Sequence, residues 1–396
     1  RTRDMKNFYL DLHIHIGRSG DGLPVKITAS RDLTLLNILN ECLTRKGIDM
    51  IGVVDCGSPG VLADLRALLQ EGKLAPLSQG GFRYGEKITI FTGIEMEAKE
   101  DSGCRAHYLA FFPTLDRLLD FAAFVAVHVK NPQLSTQATN LPALTLLKVV
   151  KSMGGIFIPA HVFTPHKGVY GACASSLTQV FGAEAESIKA VELGLSADRN
   201  MAMLLPELRE RVFFSNSDAH SLEKIGREYN LVVLEEPTFN EFLYLLEKKK
   251  GRYLKANYGL DPQLGKYHRS FCNKCQVSLL QDEAVTACPF CGSREHVVVG
   301  VLDRIMALAP PGEKEFGTVP YYYQVPLPFL PGVGKKTIEK LLLTFGSEMS
   351  ILHQVGPEEL AKIVSNEVVE LIMKAREGKL KLEAGAGGKY GRIMGE

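Results

Sequence analysis

Over the first 250 residues the chain repeats one pattern: a short apolar run ends in a polar or charged residue, and a stretch with helical spacing follows. The runs predict strands at 8–13, 49–55, 88–95, 106–111, 155–161, 188–194, 212–218 and 230–234. Several are continuously apolar, as parallel strands covered on both faces are. Helical spacing fills the intervals, for example 33–46 and 141–153. Alternation over this length predicts an α/β fold, either a (β/α) barrel or a doubly wound sheet.

The residues that end the runs carry the candidate chemistry. Side chains alternate along a strand, so Asp11, His13 and His15 are expected on one face of the first. Later runs end in Asp55, Glu95, His161, and Asp218 with His220, while His107 begins its own. In a β/α barrel the C-terminal strand ends meet at one mouth, where active sites lie. Five of the ten histidines and three carboxylates would then share a cleft. Such a mixture is what a multinuclear zinc or manganese hydrolase needs. His128 has no motif around it and reads as structural, and His166 as a loop residue near substrate.

The 396 residues allow two or three domains. The predicted division is 1–258, 259–318 and 319–396. A net charge of +1 does not announce a nucleic-acid binder, so any basic surface must be local. Neither a membrane-spanning run nor a signal-peptide pattern is seen, so the expected location is cytoplasmic and nucleoid-associated, with no membrane partner. Four of the eight cysteines are scattered (Cys42, Cys56, Cys104, Cys173). The others form two Cys-x2-Cys knuckles, Cys272/Cys275 and Cys288/Cys291, which predict a closed, structural tetrathiolate zinc ribbon. Arg269, Lys274 and Arg294 read equally as phosphate contacts or as plain surface residues. The basic run 248–255 reads as a solvated helix end or a phosphate-tracking strip, and 258–262 as a linker.

Further on, Leu330-Pro331-Gly332-Val333-Gly334-Lys335-Lys336 precedes an apolar helical pattern. It resembles the helix-hairpin-helix motif. A Gly-x-Gly turn presents backbone N–H groups at a helix N-terminus, where phosphate binds without sequence readout. Gly332, Gly334, Lys335 and Lys336 are the candidate DNA-binding residues. A second helix pair is expected at 357–364 and 367–377, and a basic, glycine-rich tail at 374–392.

In order, Asp11-Leu12-His13-Ile14-His15, Val53-Val54-Asp55, Gly93-Ile94-Glu95, Ala106-His107-Tyr108, Pro159-Ala160-His161 and Ser217-Asp218-Ala219-His220 resemble the motifs of the polymerase-and-histidinol-phosphatase (PHP) superfamily, over about residues 6–255. The resemblance implies a distorted (β/α) barrel with two or three zinc or manganese ions that hydrolyses phosphate esters. It assigns His13, His15, Glu95 and Asp218 to one metal, and Glu95, His107 and His161 to a second. His220 goes to a third, completed by Asp55, Cys56 or Asp21, with Asp55 preferred; Glu97 is the register alternative to Glu95. The expected chemistry is in-line attack by a metal-activated hydroxide. Asp218, Glu95 and His220 are the catalytic candidates, and His220 or a metal-bound water would protonate the leaving oxygen.

Barrel, ribbon and hairpin together resemble the endonuclease Q family. That resemblance implies a double-stranded DNA substrate cut 5′ to a deaminated base (hypoxanthine, uracil or xanthine) or an abasic site, leaving a 3′-OH. It implies no nucleotide cofactor, with downstream repair enzymes as partners. Reading such a base requires extruding it into a pocket. The loops 169–176 and 196–199 are candidates, with Ser175, Ser176 and Ser196 as donors. The alternatives are a PHP-type small-molecule phosphatase, a polymerase-associated 3′–5′ exonuclease, and a non-catalytic DNA-binding module.

Overall fold

The computed structural model describes residues 4–281, 285–312, 314–383, 385, 389 and 391–394. The first part holds strands β1 (Lys6–Ile14), β2 (Met50–Val53), β3 (Leu74–Pro76), β4 (Phe82–Tyr84), β5 (Ile88–Lys99), β6 (Arg105–Phe112), β7 (Ile156–Pro159), β8 (Ala190–Glu192), β9 (Val212–Phe214), β10 (Tyr229–Leu234) and β11 (Tyr253–Gly259). Between them lie helices α1 (Leu35–Glu41), α2 (Pro59–Gln70), α3 (Leu115–Ala126), α4 (Ala143–Ser152), α5 (Leu177–Phe181), α6 (Arg199–Ala202) and α7 (Phe239–Leu246). Thr34, Thr114 and Thr238 cap α1, α3 and α7, each accepting a backbone N–H of the first turn.

Each apolar run contains a strand, but the pairing differs from the parallel reading. Hydrogen bonds link β11-β10-β1-β2-β5-β6-β7. Of these pairs only β1·β2 and β2·β5 are parallel. β5·β6, β6·β7, β1·β10 and β10·β11 are antiparallel. The turn at 100–104 is too short for a crossover, so β6 must fold straight back on β5. The parallel pair β8·β9 lies between β7 and β11 and completes an irregular ring. Inside it, Phe91, Phe111 and Phe214 pack with Leu10, Leu12 and Ile158. Helix α7 closes one end, its Phe239 5.4 Å from Phe91 and its Phe242 5.6 Å from Phe214.

The segment 258–262 is not a linker: Tyr258 and Gly259 are the last residues of β11, paired with β10. Beyond it, β12 (Ser270–Cys272), β13 (Val277–Leu279) and β14 (Val297–Val298) make a small antiparallel sheet, followed by α8 (Val301–Leu308). The chain then returns to the main sheet as β15 (Tyr321–Tyr323), parallel to β11. Four helices follow, α9 (Lys335–Phe345), α10 (Glu348–His353), α11 (Pro357–Ala361) and α12 (Asn366–Arg376). The basic run is largely engaged by the residues before it and so offers no continuous phosphate strip: Arg252 binds Glu235 and Glu241, Lys249 meets Glu247, and Lys250 covers the Tyr244 ring. Among the described residues no helix is long and apolar enough to cross a membrane.

Candidate metal centre and its cavity

Strand β1 delivers His13 and His15, but Asp11 parts from them. A register shift between Asp11 and Ile14 breaks the alternation, as a bulge does. The buried Asp11 carboxylate instead accepts the Ser217 and Gly226 backbone N–H groups, tying β1 to the loop that carries Asp218. Glu95 comes from β5. His107 reaches the same end because β6 runs antiparallel: it pairs with Glu97, two residues beyond Glu95. His161 and Asp218 follow β7 and β9, with φ of 31° and 46°. Few L-residues hold this left-handed region, and such strain gathers at functional sites.

Ring-nitrogen tautomers determine what these groups can bind. His13 Nδ1 donates to Glu192, 2.8 and 3.0 Å from its two oxygens, and His15 Nδ1 donates to Asp55 Oδ2 at 2.9 Å. In the neutral rings both Nε2 atoms therefore carry lone pairs. These two atoms stand 3.2 Å apart. Around them lie Glu95 Oε2, 2.9 Å from His13, and Asp218 Oδ1, 3.2 Å from each ring. Among the described residues, Glu95 Oε2 and Asp218 Oδ1 find no hydrogen-bond partner, and both are buried. Acceptors facing one another at such distances repel unless a cation lies between them. On the other side, His107 Nδ1 is 3.8 Å from Glu95 Oε1 and His161 Nε2 3.9 Å from Glu95 Oε2. Two ligand groups result, His13/His15/Asp218 and Glu95/His107/His161, with Glu95 touching both. The residues present thus fit metal ions.

The titration behaviour agrees. Burial opposes charge on His13, but Glu192, Asp218 and Glu95 outweigh it and lift its pKa well above the usual range. His15 is raised to about 9 by Asp55 and Glu95 against the same burial penalty. Burial would raise Glu95 and Asp218, yet the surrounding imidazoles hold both well below ordinary carboxylates. Without a metal, the rings take up the positive charge that the carboxylates demand.

Asp55 also accepts Ile16 N–H and the Ser135 hydroxyl, so its carboxylate is occupied with orienting His15. Cys56 is buried, with its sulfur on the Val53 carbonyl, and Asp21 binds Ser19. Glu97 sits behind His107, accepting Nε2 at 3.3 Å and Lys167 Nζ at 2.7 Å. His220 donates Nδ1–H to the Asp218 carbonyl at 2.8 Å, leaving its Nε2 lone pair available. His128 packs on Phe124, away from the mouth.

Beside the ligands lies a cavity of about 440 Å³, lined by His161, Glu192, Ser196, Asp218, His220 and Arg227 among others. His166 and Tyr267 line it too, their rings 5.2 Å apart. Ser196 is where the sequence placed it; Ser175 and Ser176 are not among the lining residues. Ser176 caps α5 by accepting Gln179 N–H, and Ser175 is exposed. The segment carrying Lys266 and Tyr267 reaches the cavity because residue 265 is glycine: a Cβ there would stand 2.0 Å from Ser196 Oγ.

The four cysteine sulfurs also converge, all within 4.8 Å, with Cys272–Cys291 at 3.8 Å and Cys288–Cys275 at 3.9 Å. Tetrahedral thiolates about 2.3 Å from a metal stand roughly 3.8 Å apart. At the glycine turn, Gly332 has φ 78°, Lys335 and Lys336 are exposed, and the α9 ladder begins only at Ile338 N–H to Gly334 O. The N–H groups of Lys335, Lys336 and Thr337 therefore point off the helix end.

No family model matches the chain. An uncharacterized protein of Bacillus subtilis, YqxK, is 45% identical over 392 residues, 98% of this chain and 100% of that protein. MJ0043 of Methanocaldococcus jannaschii, also uncharacterized, is 35% identical over 253 residues, 58% of this chain but 31% of that protein. Among solved structures, the lesion-specific endonuclease PfuEndoQ from Pyrococcus furiosus superposes with a TM-score of 0.82 at 30% identity, over 98% of this chain and 95% of that one. Endonuclease Q bound to a 27-mer duplex with an abasic lesion at its active site gives the same score and identity over 98% and 96%. With ring, four-cysteine module and C-terminal helices all inside one superposition, the chain belongs to the endonuclease Q family.

Proposed function

We propose that this chain is a DNA repair endonuclease that hydrolyses the phosphodiester 5′ to a deaminated base or an abasic site, leaving a 3′-OH. The observation that carries the reading is the juxtaposition of two ligand groups sharing Glu95 with a cavity large enough for an extruded nucleotide. The full-length likeness to a lesion-specific endonuclease supports it. The first part is a PHP-type barrel, the four-cysteine module a zinc ribbon, and the glycine turn a helix-hairpin-helix grip on duplex backbone.

Ions at the mouth, zinc or manganese, would supply an activated water and neutralise charge on the phosphoryl oxygens. Glu95 and Asp218, with the four imidazoles, would hold them. His220, with an Nε2 lone pair and its ring on the cavity wall, is placed to take the proton that the attacking water gives up and pass it to the leaving oxygen. Ser196 and Asn216 offer polar groups to an extruded base, and Tyr267 a flat face.

An end-labelled duplex with one deoxyuridine, deoxyinosine or abasic site tests this, beside an undamaged duplex and Asp218→Asn. A single cut 5′ of the lesion, lost in the variant, is expected. Release of phosphate from small monoesters with no cut in any duplex would overturn it.

A further inference from the structure

A second cavity, of about 510 Å³, lies between α6, the start of β9, the end of α7 and residues 317–319. It shares no lining residue with the cavity at the metal ligands. Among the described residues, five cations line it, Arg199, Arg209, Arg211, Lys248 and Arg252, against one carboxylate, Glu210. Four of the five are engaged. Arg209 meets the Met203 carbonyl and Glu315; Arg211 donates to the carbonyls of Ala185, Ile188 and Glu207. Lys248 lies on Glu210, and Arg252 on Glu235 and Glu241.

Arg199 is different. It is 8% exposed, and its Nε and Nη1 are buried with no hydrogen-bond partner among the described residues. Its guanidinium carbon lies 4.8 Å from the centroid of the Phe213 ring. Burial draws its pKa down to about 10, so it stays charged at neutral pH. A desolvated cation with unused donors is costly, and a cation–π contact recovers only part of the cost. The missing partner is an anion. Guanidinium donors match phosphate oxygens in pairs. Beside Arg199 the wall is apolar, with Met203, Leu245 and Val319, and the half-exposed ring of Tyr253 stands at the edge. The volume falls in the range of small-molecule sites.

We propose that Arg199 holds the phosphate of a mononucleotide-sized monoester in this cavity, apart from the metal ligands. Residue 317 provides an independent handle. A Cβ on Gly317 would stand 3.3 Å from Arg199 Nε and Nη2, so Gly317→Asp sets a resident carboxylate against the guanidinium.

Calorimetric titration of the metal-loaded protein with inorganic phosphate and with dAMP, at fixed ionic strength, tests the site. Asp218→Asn controls for phosphate taken up at the mouth. Binding of dAMP should survive Asp218→Asn, exceed that of phosphate, and weaken by roughly tenfold or more in both Arg199→Gln and Gly317→Asp, with lesion cutting kept within about twofold. Circular dichroism reports whether Arg199→Gln folds; if it does not, Gly317→Asp decides alone. Unchanged dAMP binding in Gly317→Asp, loss of binding in Asp218→Asn, or displacement of dAMP by an undamaged duplex would overturn the proposal.

Discussion

Glu192 and Asp55 govern the mouth from behind. By taking the Nδ1 protons of His13 and His15 they aim both Nε2 lone pairs at one point. Glu192 does more, since it also accepts His161 N–H and Asn216 Nδ2–H, each at the hydrogen-bond distance. Such partners fix ring orientation and ligand basicity, and their loss typically costs metal affinity about 10–100-fold. Glu192→Gln should show that loss by equilibrium dialysis against zinc or manganese, with affinity for an undamaged duplex unchanged. The candidate ligands that end or begin apolar runs stood out in the sequence, and the fold brings them together. Glu192 also ends a strand, but the apolar run continues through Leu193, which hid it. Asp11 misled in the opposite sense, because a bulge leaves no mark in a hydrophobic pattern.

Helix α10 docks the C-terminal helices on the sheet, and its chemistry is pH-sensitive. His353 lies between Tyr9, stacked at 5.3 Å, and Tyr258, edge-on at 4.8 Å, and bonds the Tyr229 hydroxyl. Burial, with help from the Arg376 guanidinium, pulls its pKa down to about 4. An unfolded histidine titrates near 6.5, so below that pH the unfolded chain binds the proton first. Stability should therefore fall as pH drops from about 6.5 towards 4, by about 2–3 kcal/mol from this residue. His353→Gln should flatten the window in urea melts at pH 7 and 4.5. The same helix places Glu348 against the buried Lys46, 3.1 Å away at both oxygens, and Lys46 also donates to the Glu223 carbonyl. Lys46→Met strands that carboxylate and should cost about 3–5 kcal/mol in the same assay. Neither contact was readable beforehand: Lys46 and Glu348 stand 302 positions apart, and Tyr229 stands 124 from His353. Strand existence was readable; strand direction was not, because β5 and β6 are as apolar as parallel strands and only the short turn between them sets their sense.

For the whole molecule, the order of motifs along the chain was enough to expect a metal mouth, a cysteine module and a backbone grip. Each should fail in its own way. Cys288→Ser should remove one metal per chain by elemental analysis and lower the melting temperature, while the mouth keeps its ions. Lys335→Ala and Lys336→Ala should weaken binding to all duplexes alike, each lowering the slope of log K against log salt by about one.

Strand β15 joins these parts in a way that bears on evolution and engineering. Tyr321–Tyr323 pair with Asn257, Tyr258 and Gly259, so the chain re-enters the sheet beside the point where it left. Because the two strands are parallel, the excursion that carries the cysteine module is itself the crossover, and its Leu264, Val301 and Ile305 pack into the same core as Leu193 and Tyr229. Replacing that crossover by a short turn would break the β11·β15 pairing and take Lys266 and Tyr267 from the cavity wall, so the cysteine module lends itself to exchange as a unit and not to deletion.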